Sequence, residues 1–235
     1  MNNSRGAVPP AMQALPARLR ETLWENATVF RSNAGRALVS QGATSTNVYV
    51  VLVGRLHVML FSAAGREIIL RDLAEGELFG ELSAIDGQPR STTIVALSDC
   101  TVASVGAAAF RSAVSEDPEA AQWLARRLSL QIRDLTDRLF ERSALRVRSR
   151  LHCELLRRCV AAPAPGARVL IEPSPTHAEL ASCIGTHREA VTREFTYLAE
   201  RGIVRQERRK IIIEDSSALA ALVRAAVGDA LIDVD

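Results

Sequence analysis

A chain of 235 residues, 48% hydrophobic and 24% charged with a net charge of +2, has the length of one or two domains and the composition of an ordinary globular protein. No apolar run approaches the roughly 18 residues that span a bilayer, and the start, MNNSRGAVPPAMQALPARLR, lacks the basic head and continuous apolar stretch of a signal peptide. On these features a cytoplasmic chain without a membrane partner is expected. No pair among Cys100, Cys153, Cys159 and Cys183 has C-x₂-C spacing, and the four histidines are scattered, so no metal is expected and the cysteines read as small apolar residues.

Residues 1–22 read as a loose leader. From 28 to 105 the pattern is β. VYVVLV, LHVMLF, EIILRDL, TTIVAL and CTVASV are apolar and β-branched, and turn residues bound them. Gly54, Gly65 and Gly76 recur every eleven residues, a spacing suited to short strands in a β-roll or barrel. Within this region, residues 76–93 read GELFGELSAIDGQPRSTT. Glu81 and Arg90 thus fall in an apolar setting, where a charge without a partner costs several kcal/mol.

The pattern changes at Asp117 and Pro118, an N-cap followed by proline at the first helical position. Residues 117–143 form one expected helix, about 40 Å long. Ala125, Leu128, Ile132, Leu135 and Leu139 follow 3-4 spacing between charged flanks, Arg126, Arg127, Arg133, Asp134, Asp137 and Arg138. A core helix would carry such a stripe, but its narrowness favours a two-fold dimer helix, with Leu128, Ile132, Leu135 and Leu139 at the homodimer interface.

Helical pattern resumes at RVRSRLHCELLRRCV and is broken by AAPAPGAR at 161–168. Between Leu145 and Lys210 there are thirteen basic and seven acidic residues, whereas Ile211 to the end has one basic and five acidic. A basic segment before an acidic tail favours a polyanionic partner. Residues 176–202, THAELASCIGTHREAVTREFTYLAERG, hold two T-x-x-E capping boxes, Thr176–Glu179 and Thr186–Glu189. They predict helices starting near His177 and His187, with Gly185 in the turn and Gly202 at the end, which is a helix-turn-helix. Val191, Phe195 and Leu198 form the buried face of the second helix, and Arg188, Glu189, Thr192 and Arg193 the exposed one. Arginine can read guanine and glutamate can accept from cytosine; a solvated face, with Glu189 in its capping box, is the plainer alternative. IVRQERRKIIIE then reads as a strand-turn-strand wing whose basic tip, Arg208, Arg209 and Lys210, suits phosphate. Thr186, Arg188, Glu189, Thr192, Arg193, Arg208, Arg209 and Lys210 are the candidate DNA contacts.

From about residue 23 to 215 the chain resembles the bacterial cyclic AMP receptor protein family, on two motifs. FGELSAIDGQPRSTT is similar to the family's phosphate-binding cassette, and HAELASCIGTHREAVTREFTYLAERGIV to its DNA-binding element. The resemblance implies an α+β chain: a cyclic-nucleotide β-roll at 23–116, a dimerisation helix at 117–143 and a winged helix-turn-helix domain at 144–235. It implies a dimeric transcription regulator, not an enzyme, acting on double-stranded DNA with palindromic, G·C-containing half-sites resembling TGTGA, with RNA polymerase as a further partner. It also implies an effector, cyclic AMP or cyclic GMP. Arg90 would pair with the cyclic phosphate, Ser91 and Thr92 would adjoin it, Glu81 would take the ribose 2′-hydroxyl, and the backbone from Gly80 through Leu82 to Ser83 would approach the sugar. A mutual Glu81–Arg90 ion pair in a site that binds nothing is the alternative, and it corresponds to a regulator that is constitutive or senses something else. Where the cyclic-AMP-specific member has adjacent threonine and serine on the dimer helix, this chain has Gln131 and Ile132, so Gln131 is the candidate base contact for either purine.

Overall fold

The computed structural model describes residues 7–162 and 167–228; parts of the expected leader, of the AAPAPGAR loop and of the acidic tail lie outside the described residues. Two units emerge, Met1–Gln131 and Ile132–Asp235, and one helix contributes residues to both.

The first unit opens with a 3-10 turn, Pro10–Ala14, and α1, Ala17–Glu25. Eight strands follow: β1 Thr28–Ser32, β2 Ala37–Val39, β3 Val48–Val53, β4 Leu56–Phe61, β5 Glu67–Leu73, β6 Leu78–Phe79, β7 Thr93–Ala96 and β8 Cys100–Val105. A short helix, α2 (Glu81–Asp86), sits between β6 and β7, and α3 (Ala107–Ser115) and α4 (Pro118–Ala144) follow β8. The strands make two antiparallel four-stranded sheets, ordered β1-β8-β3-β6 and β2-β7-β4-β5, the expected β-roll.

Strand β3 explains why its sequence is apolar without alternation. Successive side chains leave a strand on opposite faces. Val48, Val50 and Leu52 pack outward with Leu19, Leu23, Phe110, Ala120 and Leu124 of the helices, whereas Tyr49 and Val51 pack into the roll with Leu56, Val58, Phe79 and Val102. Both faces are buried, so both are apolar.

The N-terminal segment corrects the expectation of a loose leader. Met12, Leu15, Leu19 and Leu23 recur at helical spacing and all lie in the outer core, where each buried side chain contributes about 1.5–3 kcal/mol. Prolines at 9, 10 and 16 disguised that periodicity in the sequence.

Helix α4 starts as expected, with the Asp117 carboxylate accepting from the Glu119 N–H at 3.0 Å. Its first turns bury Ala120 and Leu124, and Leu128 is half-buried against the same core. Beyond it the stripe is bare: Ile132, Leu135 and Leu139 are 64%, 50% and 67% exposed.

The second unit continues with α5 (Val147–Val160), β9 (Val169–Ile171), α6 (His177–Ile184), α7 (Arg188–Glu200), β10 (Val204–Glu207), β11 (Lys210–Ile213) and α8 (Ser216–Val227). Strands β10, β11 and β9 form an antiparallel sheet in that order. Among the described residues no helix is long and apolar enough to cross a membrane. All four cysteines are free and buried, and burial pushes Cys153 to about 12 and Cys159 to about 11.

Candidate functional site

The segment from 76 to 93 folds around Gly80. Its φ of +83° is left-handed, and a Cβ there would come within 2.7 Å of Arg90 Nη1 and 2.8 Å of the Asn47 carbonyl. Both the conformation and the space therefore require glycine. Gly80 caps α2 and is followed by Glu81, 5% exposed; Ser83 is buried, while Leu82 faces outward at 43% exposed.

Arg90 is 4% exposed, and three of its nitrogens are used. Nε donates to Ser45 Oγ at 3.1 Å, Nη1 to the Gly80 carbonyl at 2.9 Å and Nη2 to the Asn47 carbonyl at 2.7 Å. The guanidinium carbon lies 5.7 Å from the centre of the Tyr49 ring, which stacks on Phe79. The Arg90 backbone exchanges hydrogen bonds with Gly42 and Ala43, which closes the loop against the cassette. Burial lowers the Arg90 pKa from its ordinary value, and the charge of Glu81 acts against that. The two do not form an ion pair: all three acceptors of Arg90 are neutral oxygens, so the mutual salt bridge is not what the chain builds. A buried guanidinium held by neutral acceptors and without a paired carboxylate is chemically suited to a monoanion.

Arg127 also reaches this place. From α4 its Nη2 donates to the Leu78 carbonyl, two residues before Gly80, and its guanidinium lies 5.9 Å from the Trp123 ring centre. Its Nε is buried without a hydrogen-bond partner, burial lowers its pKa, and Glu81 is the largest influence opposing that shift. In the sequence Arg127 is one more charge on a helix flank. Ser45, Asn47 and Tyr49 are equally unmarked there, because tertiary contacts alone bring them to the cassette. Gln131 lies one turn beyond Arg127 and is half-buried; Ser91 is exposed and Thr92 half-buried.

In the second unit the first capping box forms. Thr176 Oγ1 accepts from the Glu179 N–H at 3.2 Å, and the Glu179 carboxylate accepts from the Thr176 N–H at 2.6 Å. The second does not form. Gly185 turns the chain with φ +70°, the Thr186 N–H is drawn back to the Ala181 carbonyl at 2.9 Å, and the N-cap of α7 becomes His187. Glu189 is then one position too early for a box. Two arginines complete the turn: Arg142 donates to the Cys183 carbonyl at 2.8 Å and Arg150 to the Ile184 carbonyl at 2.9 Å. They satisfy the last carbonyls of α6, a task for which helix ends need outside donors.

Helix α7 buries Val191, Phe195 and Leu198 and exposes Arg188, Glu189, Thr192 and Arg193. Arg188, Glu189 and Arg193 have no ion-pair partner among the described residues, in contrast to Arg138, Arg157 and Arg158, which converge on Glu154. At the hairpin tip between β10 and β11, Arg208 and Arg209 are exposed, and Arg209 holds a left-handed φ of +64°. Lys210 pairs with Glu172 at 3.1 Å.

Comparison with known proteins matches the two domains that hold these residues. The Cyclic nucleotide-binding domain family matches residues 29–117, and the Crp-like helix-turn-helix domain family matches residues 149–222. The chain is 30% identical to the "Cyclic AMP receptor protein" of Thermus thermophilus over 171 residues, 73% of this chain and 76% of that one. The chain belongs to the cyclic AMP receptor protein family. This regulator is also 25% identical, over 94% of its length and 95% of the relative's, to the "CRP-like cAMP-activated global transcriptional regulator" of Mycobacterium tuberculosis. Its fold is similar to that of a CRP/FNR-family transcriptional regulator from Thermus thermophilus, with TM-score 0.67 and 26% identity over 84% of this chain and 98% of that one. FixK2 from Bradyrhizobium japonicum superposes with TM-score 0.74 at 20% identity over 83% and 96% of the two chains. The regulator is thus a DNA-binding transcription factor with a cyclic-nucleotide-binding domain, and its family is not one of enzymes.

Proposed function

We propose that the protein is a homodimeric, cyclic-nucleotide-gated transcription regulator of the cytoplasm. Cyclic AMP, with cyclic GMP as the competing effector, binds in the β-roll and shifts the dimer to its DNA-competent state. The observation that carries this reading is Arg90, buried and held by neutral oxygens, with no carboxylate in ion-pair contact among the described residues. In the reading, Arg90 takes the cyclic phosphate, Ser91 and Thr92 adjoin it, and Glu81 accepts from the ribose hydroxyl. Gly80, Leu82 and Ser83 bring the backbone to the sugar, and Gln131 meets the base. Calorimetric titration of cyclic AMP against cyclic GMP tests it: saturable binding of one supports the site, and binding of neither rejects it.

The bare Ile132, Leu135 and Leu139 stripe supports a second copy of the chain as its cover, with Leu128 at the edge of the interface. Leu135→Glu should place unpaired charge in that seam and dissociate the dimer; sedimentation of a wild-type monomer at micromolar concentration would exclude the arrangement. Two-fold symmetry then requires inverted half-sites about one helical turn apart. Arg188, Glu189 and Arg193 read G·C pairs in the half-sites, Thr186 and the wing residues Arg208, Arg209 and Lys210 follow the backbone, and RNA polymerase is the further partner.

Coupling needs a ligand that favours one of two states. The Arg127 bond from α4 to Leu78 supplies a route: it ties the helix that carries the seam to the backbone just before Gly80 and Glu81, so a ligand that shifts this backbone bears on α4.

A further inference from the structure

His177 is the first residue of α6, yet its ring joins two other elements. Nε2 is 2.8 Å from Nε2 of Gln206 on β10, Nδ1 is 2.8 Å from Oγ1 of Thr192 on α7, and the ring stacks on Phe195 at 4.8 Å and 16°. The partners fix the protons. An amide nitrogen only donates, so Gln206 donates to Nε2. In a neutral imidazole the proton is then on Nδ1, which donates to Thr192 Oγ1. The Thr192 hydroxyl donates onward to the Arg188 carbonyl at 3.1 Å. The chain of donors runs one way, from the wing strand through His177 to the first turn of α7. Burial lowers the His177 pKa from its ordinary value and the Arg188 charge acts in the same direction; a donor on the Nε2 lone pair likewise favours the neutral ring.

Thr192 stands on the exposed face of α7 between Arg188 and Arg193, but its hydroxyl proton is committed to the Arg188 carbonyl and one lone pair to His177. We propose that His177 is a positioning residue for DNA recognition, which fixes the recognition helix against the wing strand and withdraws the Thr192 hydroxyl from base reading. Base-edge contacts tolerate displacements of only about 0.5 Å, and the wing holds phosphate while α7 holds bases. A residue bonded to both elements therefore sets whether the two contacts are made together. The inference rests on the DNA-reading assignment of α7.

The test uses the full-length protein with saturating nucleotide, on its selected operator and on random-sequence DNA. His177→Phe keeps a ring for Phe195 and removes both hydrogen bonds; Thr192→Val keeps the shape and removes the hydroxyl. Each should weaken operator binding about five-fold, the loss of one net hydrogen bond, and the double variant should be no weaker than either alone. His177→Gln, which can both donate and accept, should restore most of the loss. Binding to random DNA should not change, and ¹⁵N spectra should report the Nδ1–H tautomer. Additive losses, an Nε2–H tautomer, or operator affinity unaltered by Thr192→Val would each overturn the relay, and the last two hold even if His177→Phe folds poorly. A wild-type protein that selects no operator would instead overturn the DNA-reading assignment beneath it.

Discussion

Arg90, buried in the β-roll, and Arg193, exposed on α7, are the same side chain in opposite settings, and they point to function in different ways. A guanidinium in water costs nothing and demands nothing, so the free charges of α7 are informative only as a pattern: an unpaired Arg-Glu-Arg face opposite a buried Val-Phe-Leu face. A guanidinium at 4% exposure is a thermodynamic demand. The chain meets the hydrogen-bonding part of that demand with Ser45, Gly80 and Asn47 and pairs the charge with no carboxylate among the described residues. One site is therefore argued from energy and the other from geometry, and substitutions at the two should behave differently.

The largest expected effect is at the buried site. Arg90→Leu should cost nucleotide binding about 2–5 kcal/mol, the loss from truncating one partner of a buried charge pair. Calorimetry would read this as loss of detectable binding by a protein with an unchanged circular dichroism spectrum. Full affinity in that variant would make Arg90 a structural residue and erase the contrast. Gly80→Ala should act next most strongly, by about 1–3 kcal/mol of stability, because it combines left-handed strain with a Cβ that meets Arg90 and Asn47. A thermal melt reads the loss, and nucleotide affinity should fall with it as Arg90 is displaced.

On the exposed helix the effect should be selective. Arg193→Ala should cost about 1–3 kcal/mol at the cognate half-site and flatten preference at one base, as read by randomised-site selection. An unchanged selected motif would mean that α7 enters the groove in another register. The smallest effect belongs to the wing tip. Arg209→Ala should weaken all DNA sequences about equally and reduce the slope of log affinity against log salt by about 1. A sequence-dependent loss there would make the wing a reader.

The sequence makes legible what is local. The cassette's Gly80, Glu81 and Arg90, the Thr176 capping box and the α7 stripe each depend on residues within a few turns of one another, and their spacing is visible in one dimension. Arg90's own acceptors Ser45 and Asn47 lie more than forty residues away and carry no motif, and Arg127 looks like solvated flank until α4 is docked on the β-roll. The second capping box fails for a reason that spacing cannot express: the left-handed turn at Gly185 ties Thr186 back to Ala181 and starts α7 one residue later. The Thr192 hydroxyl, which looks available on a helical wheel, is engaged by His177 from another helix. The apolar stripe of α4 was legible as a pattern, but not the place where its cover changes from the chain's own core at Leu128 to bare surface at Ile132.

The most direct test of the account joins the two sites in one measurement: operator affinity of the full-length protein with and without saturating cyclic AMP or cyclic GMP, for wild type and Arg90→Leu. One nucleotide should raise wild-type affinity and leave the variant at its unliganded level. Equal wild-type affinity with and without either nucleotide would contradict it.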